Sequence, residues 1–131
     1  MNFVEFEAPL RQGDRCVVID GAEIAVPELR QTASQPKCVL GVRPEHVRLS
    51  DTSPLRGSIY GAEYLGTTQI VTVATGHGFV KARLTSEAAV RLGEPVGLAF
   101  RPEKLSIFDR QSGHVLRSAL HDVLRNGGAH G

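Results

Sequence analysis

One ten-residue pattern is written twice in this chain, and a repeat constrains architecture more firmly than local propensity does. Val42-Arg43-Pro44-Glu45-His46-Val47-Arg48-Leu49-Ser50-Asp51 aligns with Phe100-Arg101-Pro102-Glu103-Lys104-Leu105-Ser106-Ile107-Phe108-Asp109, 58 positions later, counting from Arg43 to Arg101. Each copy sets Arg-Pro-Glu between two apolar runs, the second of which ends in Asp. Two copies are too few for a solenoid, so the pattern predicts two equivalent corners of one small β fold.

The proline gives each corner its geometry. It fixes φ near the helical value and carries no N–H, which suits the first position of a short turn. It also drives the preceding residue, Arg43 or Arg101, toward the extended conformation of a strand end. Strand, one tight 3₁₀-like turn, strand is therefore expected at 43–45 and again at 101–103. Arg43, Pro44, Glu45, Arg101, Pro102 and Glu103 are read as structural, with an ion pair or a turn hydrogen bond fixing each corner. On that reading Arg43→Ala should cost about 1–3 kcal/mol if its partner is left partly buried.

Between and around the corners run short apolar stretches punctuated by Gly and Pro. Phe3 to Ala8 alternates apolar and acidic residues like a half-exposed strand. Cys16–Ile19 and Glu23–Val26 flank Asp20-Gly21, a hairpin signal, and Gln69–Thr75 and Phe79–Leu84 flank Gly76-His77-Gly78, a second. Glycines 57, 61 and 66 punctuate Leu55 to Leu65 as bends or bulges. Pro27 to Lys37 reads as a surface connection, and Thr85 to Leu92 as one helical turn capped by Ser86. Nine or ten short strands with turns every 8–12 residues predict an all-β fold, an OB-like small barrel or pair of barrels of antiparallel strands. That domain covers residues 1–112. In 113–131, Val115, Leu116, Ala119, Leu120, Val123 and Leu124 fall at helical spacing, predicting an amphipathic C-terminal helix followed by a flexible tail.

The exclusions are as informative. With 131 residues and a hydrophobic fraction of 41%, the chain can build one core, made of aliphatic side chains because it has no Trp and only seven aromatics. A formal charge of +1 offers no electrostatic pull toward nucleic acid, and the two Tyr and five Phe, the latter mostly in core-like alternation, argue against stacking platforms. No basic leader precedes an apolar run, and no apolar run approaches the roughly 20 residues of a membrane span. Cys16 and Cys38 fit no metal spacing, and His114 with His121 lack a third ligand, so no metal site is expected. No catalytic constellation is present: neither Gly-x-Ser-x-Gly nor His-Glu-x-x-His occurs.

Taken in order, the motifs resemble a known family. Leu40-Gly41-Val42-Arg43-Pro44-Glu45-His46 is similar to the Gly-Ile-Arg-Pro-Glu-His signature of the C-terminal regulatory region, the transport-associated OB or TOBE domain, of maltose-type ABC sugar importer ATPase subunits. Gly57-Ser58-Ile59 with Glu63-Tyr64-Leu65-Gly66 resembles the family's strand ending in Glu-x-Leu-Gly. Leu92-Gly93-Glu94-Pro95-Val96-Gly97-Leu98 and Leu105-Ser106-Ile107-Phe108-Asp109 match two later motifs, and Met1-Asn2-Phe3 resembles the junction with the ATPase domain. Arg101 departs from the family, which often has Asp there. The phosphate loop and other ATPase motifs are absent, so ATP and Mg²⁺ would belong to a missing domain and no cofactor is expected in this chain.

The resemblance implies a non-catalytic regulatory and dimer-contact domain. Its implied partners are a second copy of the same subunit, the importer's permease subunits through the missing ATPase domain, and a cytoplasmic regulator. Its implied place is cytoplasmic, peripheral on the inner face of the cell membrane. The alternative is a small module binding an oxyanion such as molybdate, for which the turns at Thr67, Thr68, Thr85 and Ser86 supply hydroxyls and N–H groups. A nucleic-acid-binding OB domain is the third reading.

Overall fold

The structure, a computed structural model, describes residues 1–122. Ten strands appear in chain order: β1 (Asn2–Glu7), β2 (Cys16–Ile19), β3 (Ala22–Ala25), β4 (Lys37–Val42), β5 (Val47–Ser50), β6 (Arg56–Tyr64), β7 (Thr68–Thr75), β8 (Gly78–Thr85), β9 (Pro95–Phe100) and β10 (Ser106–Asp109). Single 3₁₀ turns at Pro44–His46 and Pro102–Lys104 form the two expected corners. The strands build three antiparallel sheets, ordered β1-β4-β10, β2-β3 and β5-β9-β6-β7-β8.

The sequence repeat is a symmetry of the strand pairing. The strand entering the first corner, β4, pairs with β10, which leaves the second. The strand leaving the first corner, β5, pairs with β9, which enters the second. The registers correspond: Gly41↔Ser106 and Leu40↔Ile107 reappear, shifted by the repeat length in opposite senses, as Ala99↔Arg48 and Leu98↔Leu49. The two copies are thus related by a pseudo-two-fold, with each sheet receiving one strand from each corner.

Alternating inward residues from these sheets meet in one core, which includes Val4, Phe6, Leu40, Val42, Val71, Val73, Val80, Leu98 and Ile107. The side chain of Asn2 joins two sheets at their margin. Its Nδ2 donates to the carbonyl of Lys81 at 2.7 Å, and its Oδ1 accepts from the Lys81 N–H at 2.8 Å. One amide thereby imitates a strand pairing between β1 and β8.

Several local expectations hold for stated reasons. Asp20 and Gly21 both have positive φ, 54° and 79°, as the two central residues of a type I′ hairpin require. A register shift in β6 between Ile59 and Gly61 is the bulge that the glycines suggested. Others are corrected. Thr85 to Leu92 forms no helical turn; its start is tied by Ser86 N–H to Thr67 O and Ala88 N–H to Thr85 O. The 27–37 connection is anchored rather than superficial, because Leu29 is 1% exposed and bridges Ser118.

The expected C-terminal helix is present, but it starts later than its apolar spacing predicts. Residues 115–118 are extended: Val115 bridges Phe108, Ser118 bridges Leu29, and Leu116 is buried. Helical spacing lost here because the gap between β10 and residues 28–30 offers backbone partners and core contact together. Helix begins at residue 119, with Ser118 Oγ accepting the Leu120 N–H as a cap. The rest of the predicted helix and tail, 123–131, lies outside the described residues.

Candidate functional site

The corners are built from backbone, not from ion pairs. Arg43 (φ −77°, ψ 148°) and Arg101 (φ −75°, ψ 112°) are extended before their prolines. Each turn is closed by N–H donation to the proline carbonyl, from Val47 to Pro44 and from Leu105 to Pro102. Among the described residues no carboxylate lies within 4 Å of Arg43 or Arg101, and no cation lies that close to Glu45 or Glu103. Of the two expected devices, an ion pair or a turn hydrogen bond, the corners show the second.

Glu45 shows what its residue type supplies. Pro44 removes one of the turn's orphan N–H groups, and Glu45's own N–H is the next. The Glu45 carboxylate turns back onto that N–H, which holds its pKa below the usual range; the guanidinium groups of Arg43 and Arg83 add to the effect.

The corners also meet each other, since the Arg101 N–H donates to the His46 carbonyl at 3.0 Å. Beside that bond lies an open cleft of about 360 Å³, lined by Arg48 of β5, Arg83 of β8, Arg101, His46, Glu45 and Glu103 among others. β5 and β8 are the outer strands of the five-stranded sheet and lie against one another without ladder hydrogen bonds. The cleft therefore occupies the unclosed seam of the barrel.

Glu63, Leu65, Gly66, Thr67, Thr68, Thr85 and Ser86 gather at the β6–β7–β8 end. Gly66, at φ 85°, is the first of two loop residues in the hairpin that Leu65 closes by donating to Thr68 O at 2.8 Å. Thr68 stands opposite Thr85. The N–H groups of Leu65, Ser86 and Ala88 all donate to backbone carbonyls, so those three do not point outward as an anion cradle. Beneath them Gln69 is fully buried, donating to Thr85 O and Ala88 O, with its Oε1 unpartnered.

Sequence reasoning missed the aromatic surface. Phe3, Tyr60, Tyr64 and Phe79 are exposed, although the phenylalanines were expected mostly in core-like alternation. Tyr60 packs against Phe79 with centroids 4.8 Å apart and the rings tilted by 58°, and Phe3 meets Phe108 edge-on at 6.1 Å. Phe3, Val39 and Phe108 line a more apolar groove of about 550 Å³. Gly41 is the signal that was legible: a Cβ there would stand 2.7 Å from Phe108 Cε2, so the ring needs a glycine beneath it. No group of three or more metal-ligating side chains and no helix long and apolar enough to cross a membrane occur among the described residues.

Residues 40–108, more than half of the chain and both corners, match the TOBE domain. An sn-glycerol-3-phosphate import ATP-binding protein of Chromobacterium violaceum is 28% identical over 116 residues; the match covers 86% of this chain but only 30% of that protein's length. Among solved structures, the cytoplasmic molybdate-binding protein ModG superposes with a TM-score of 0.62, covering 81% of this chain and 94% of that one at 17% identity. That likeness is one of fold, and it is OB-like.

Proposed function

The chain belongs to the TOBE domain family, and from that premise we propose that it serves as the non-catalytic regulatory and contact module of an ABC importer's ATP-binding subunit. The observation that carries this reading is alignment of most of the chain with under a third of an import ATP-binding protein, while the family match spans both corners. The cargo class that fits is sugars or sugar-like polyol phosphates, since the aligned relative is an sn-glycerol-3-phosphate importer's subunit. Its partners are a second copy of the subunit and, through an ATPase domain, the permease; that places it at the cytoplasmic face of the membrane. It binds no ATP itself.

A two-fold contact uses one self-complementary patch. Most of the full subunit's dimer strength comes from ATPase domains closing on nucleotide, so this module alone should associate weakly. The exposed aromatics, with Phe3 and Phe79 on neighbouring strands, are where such a patch would find its anchors. Sedimentation velocity over a roughly hundredfold dilution, with and without Mg²⁺-ATP, tests this. The expected result is a monomer or a dimer dissociating in the micromolar range, unaffected by nucleotide. A dimer that survives dilution, or that assembles only with ATP, would contradict it.

The fold shared with ModG keeps oxyanion binding as a second reading, but the N–H groups already committed at Leu65, Ser86 and Ala88 weigh against the threonine turns as its seat.

A further inference from the structure

The seam cleft brings together three arginines that make no ion-pair contact among the described residues. Arg48, Arg83 and Arg101 reach it from a strand, a second strand and a corner. Among the described residues none of the three has a carboxylate within 4 Å, and none donates a side-chain hydrogen bond. Arg15, Arg30, Arg56 and Arg110 elsewhere do one or both. Three like charges converging on one concave surface repel each other, and an anion between them turns that repulsion into attraction. Guanidinium groups are also the side chains best shaped for planar, two-point contact with phosphate or carboxylate oxygens.

Glu45 and Glu103 share the cleft and offset part of this charge, leaving three guanidinium groups against two carboxylates. Glu45 is engaged with its own N–H, and Glu103 is exposed without a cation in contact. Both remain acceptors for hydroxyl groups. Leu84, Phe100 and Pro102 add apolar wall. A volume near 360 Å³ exceeds what a bare phosphate fills and suits a small organic body attached to it.

We propose that the seam cleft between the two Arg-Pro-Glu corners is a binding site for a phosphate group, free or carried by a small hydroxyl-bearing phosphomonoester. The anion bridges β5, β8 and the second corner, and so ties together strands that the backbone leaves unpaired. The site is made wholly of this chain's residues and does not depend on the importer reading; either can fail alone.

The test is a ¹H–¹⁵N NMR titration of the chain with inorganic phosphate, glycerol 3-phosphate and glycerol in parallel, up to about 10 mM ligand. Amide shifts are expected at His46, Val47, Arg48, Arg83, Leu84, Phe100, Arg101 and Glu103 with both phosphates and none with glycerol. Equal affinities assign the site to free phosphate, and tighter binding of the ester assigns it to the phosphomonoester. Arg83→Ala and Arg48→Ala, both exposed positions that should fold normally, are each expected to weaken binding about tenfold. No shifts at the cleft, equal shifts with glycerol, or affinities unchanged in both variants would overturn the proposal.

Discussion

Asn2 holds β1 against β8 with two hydrogen bonds from one buried amide. Removing it strands the N–H and carbonyl of Lys81, whereas Arg43 is exposed and makes no side-chain bond or ion pair among the described residues. Asn2→Ala should therefore cost about 1–3 kcal/mol in urea unfolding, and Arg43→Ala should stay within about 0.5 kcal/mol. A larger loss from Arg43 than from Asn2 would reverse this account of the corner. Asp109, the last residue of the second repeat, has a similar structural task. Its carboxylate accepts from Ser112 N–H, Gln35 Nε2 and Gln111 N–H, each at 2.9 Å, and from Ser34 Oγ. The Ser112 N–H above all, then Gln35, hold its pKa below the ordinary value. A depressed carboxylate binds its proton less readily folded than unfolded, so its stabilisation is whole above about pH 4 and fades as pH falls through the folded value. Thermal melts from pH 7 to pH 3 should show Asp109→Asn less stable at neutral pH, with the gap to the parent narrowing in acid. A gap that stays constant would mean the charge plays no part.

At the scale of elements, the turns and the presence of a C-terminal helix were legible, and the point where that helix starts was not. Asp20-Gly21, the bulge in β6 and both corners follow from backbone rules that act over two or three residues, and those rules are written in residue type. The cleft was only half legible: Arg101 and Glu45 were singled out as corner residues, but Arg48 and Arg83 join them through the closing of the barrel, which no local pattern encodes. The exposed aromatics were misplaced for a related reason, since alternation identifies two faces of a strand and not which face is covered. The stretch 115–118 carries helical spacing but takes the bridges that Phe108 and Leu29 offer, a tertiary choice overriding a local one. Gly97 in β9 shows the tightest demand on an element. A Cβ there would collide with the carbonyl of Ser50 and stand 2.8 Å from that of Ser53. Gly97→Ala should lower the denaturation midpoint by an amount equivalent to about 1–3 kcal/mol. No change would show that residues 50–53 give way freely.

For the whole molecule, the repeat, the crossed pairing of β4 with β10 and β5 with β9, and the single core describe one unit whose halves cannot separate. Such a unit is suited to being carried as a rigid module on a larger protein, as the matching portion is in the import ATP-binding relative, of whose length it makes up 30%. The direct measurement is a replacement. The portion of that relative aligned with this chain is exchanged for the chain itself, and sn-glycerol-3-phosphate uptake is followed in cells lacking their own subunit. The account predicts uptake clearly above that of the same subunit truncated before the exchanged region. A chimera that is folded and hydrolyses ATP, yet takes up no more solute than the truncation, would contradict it.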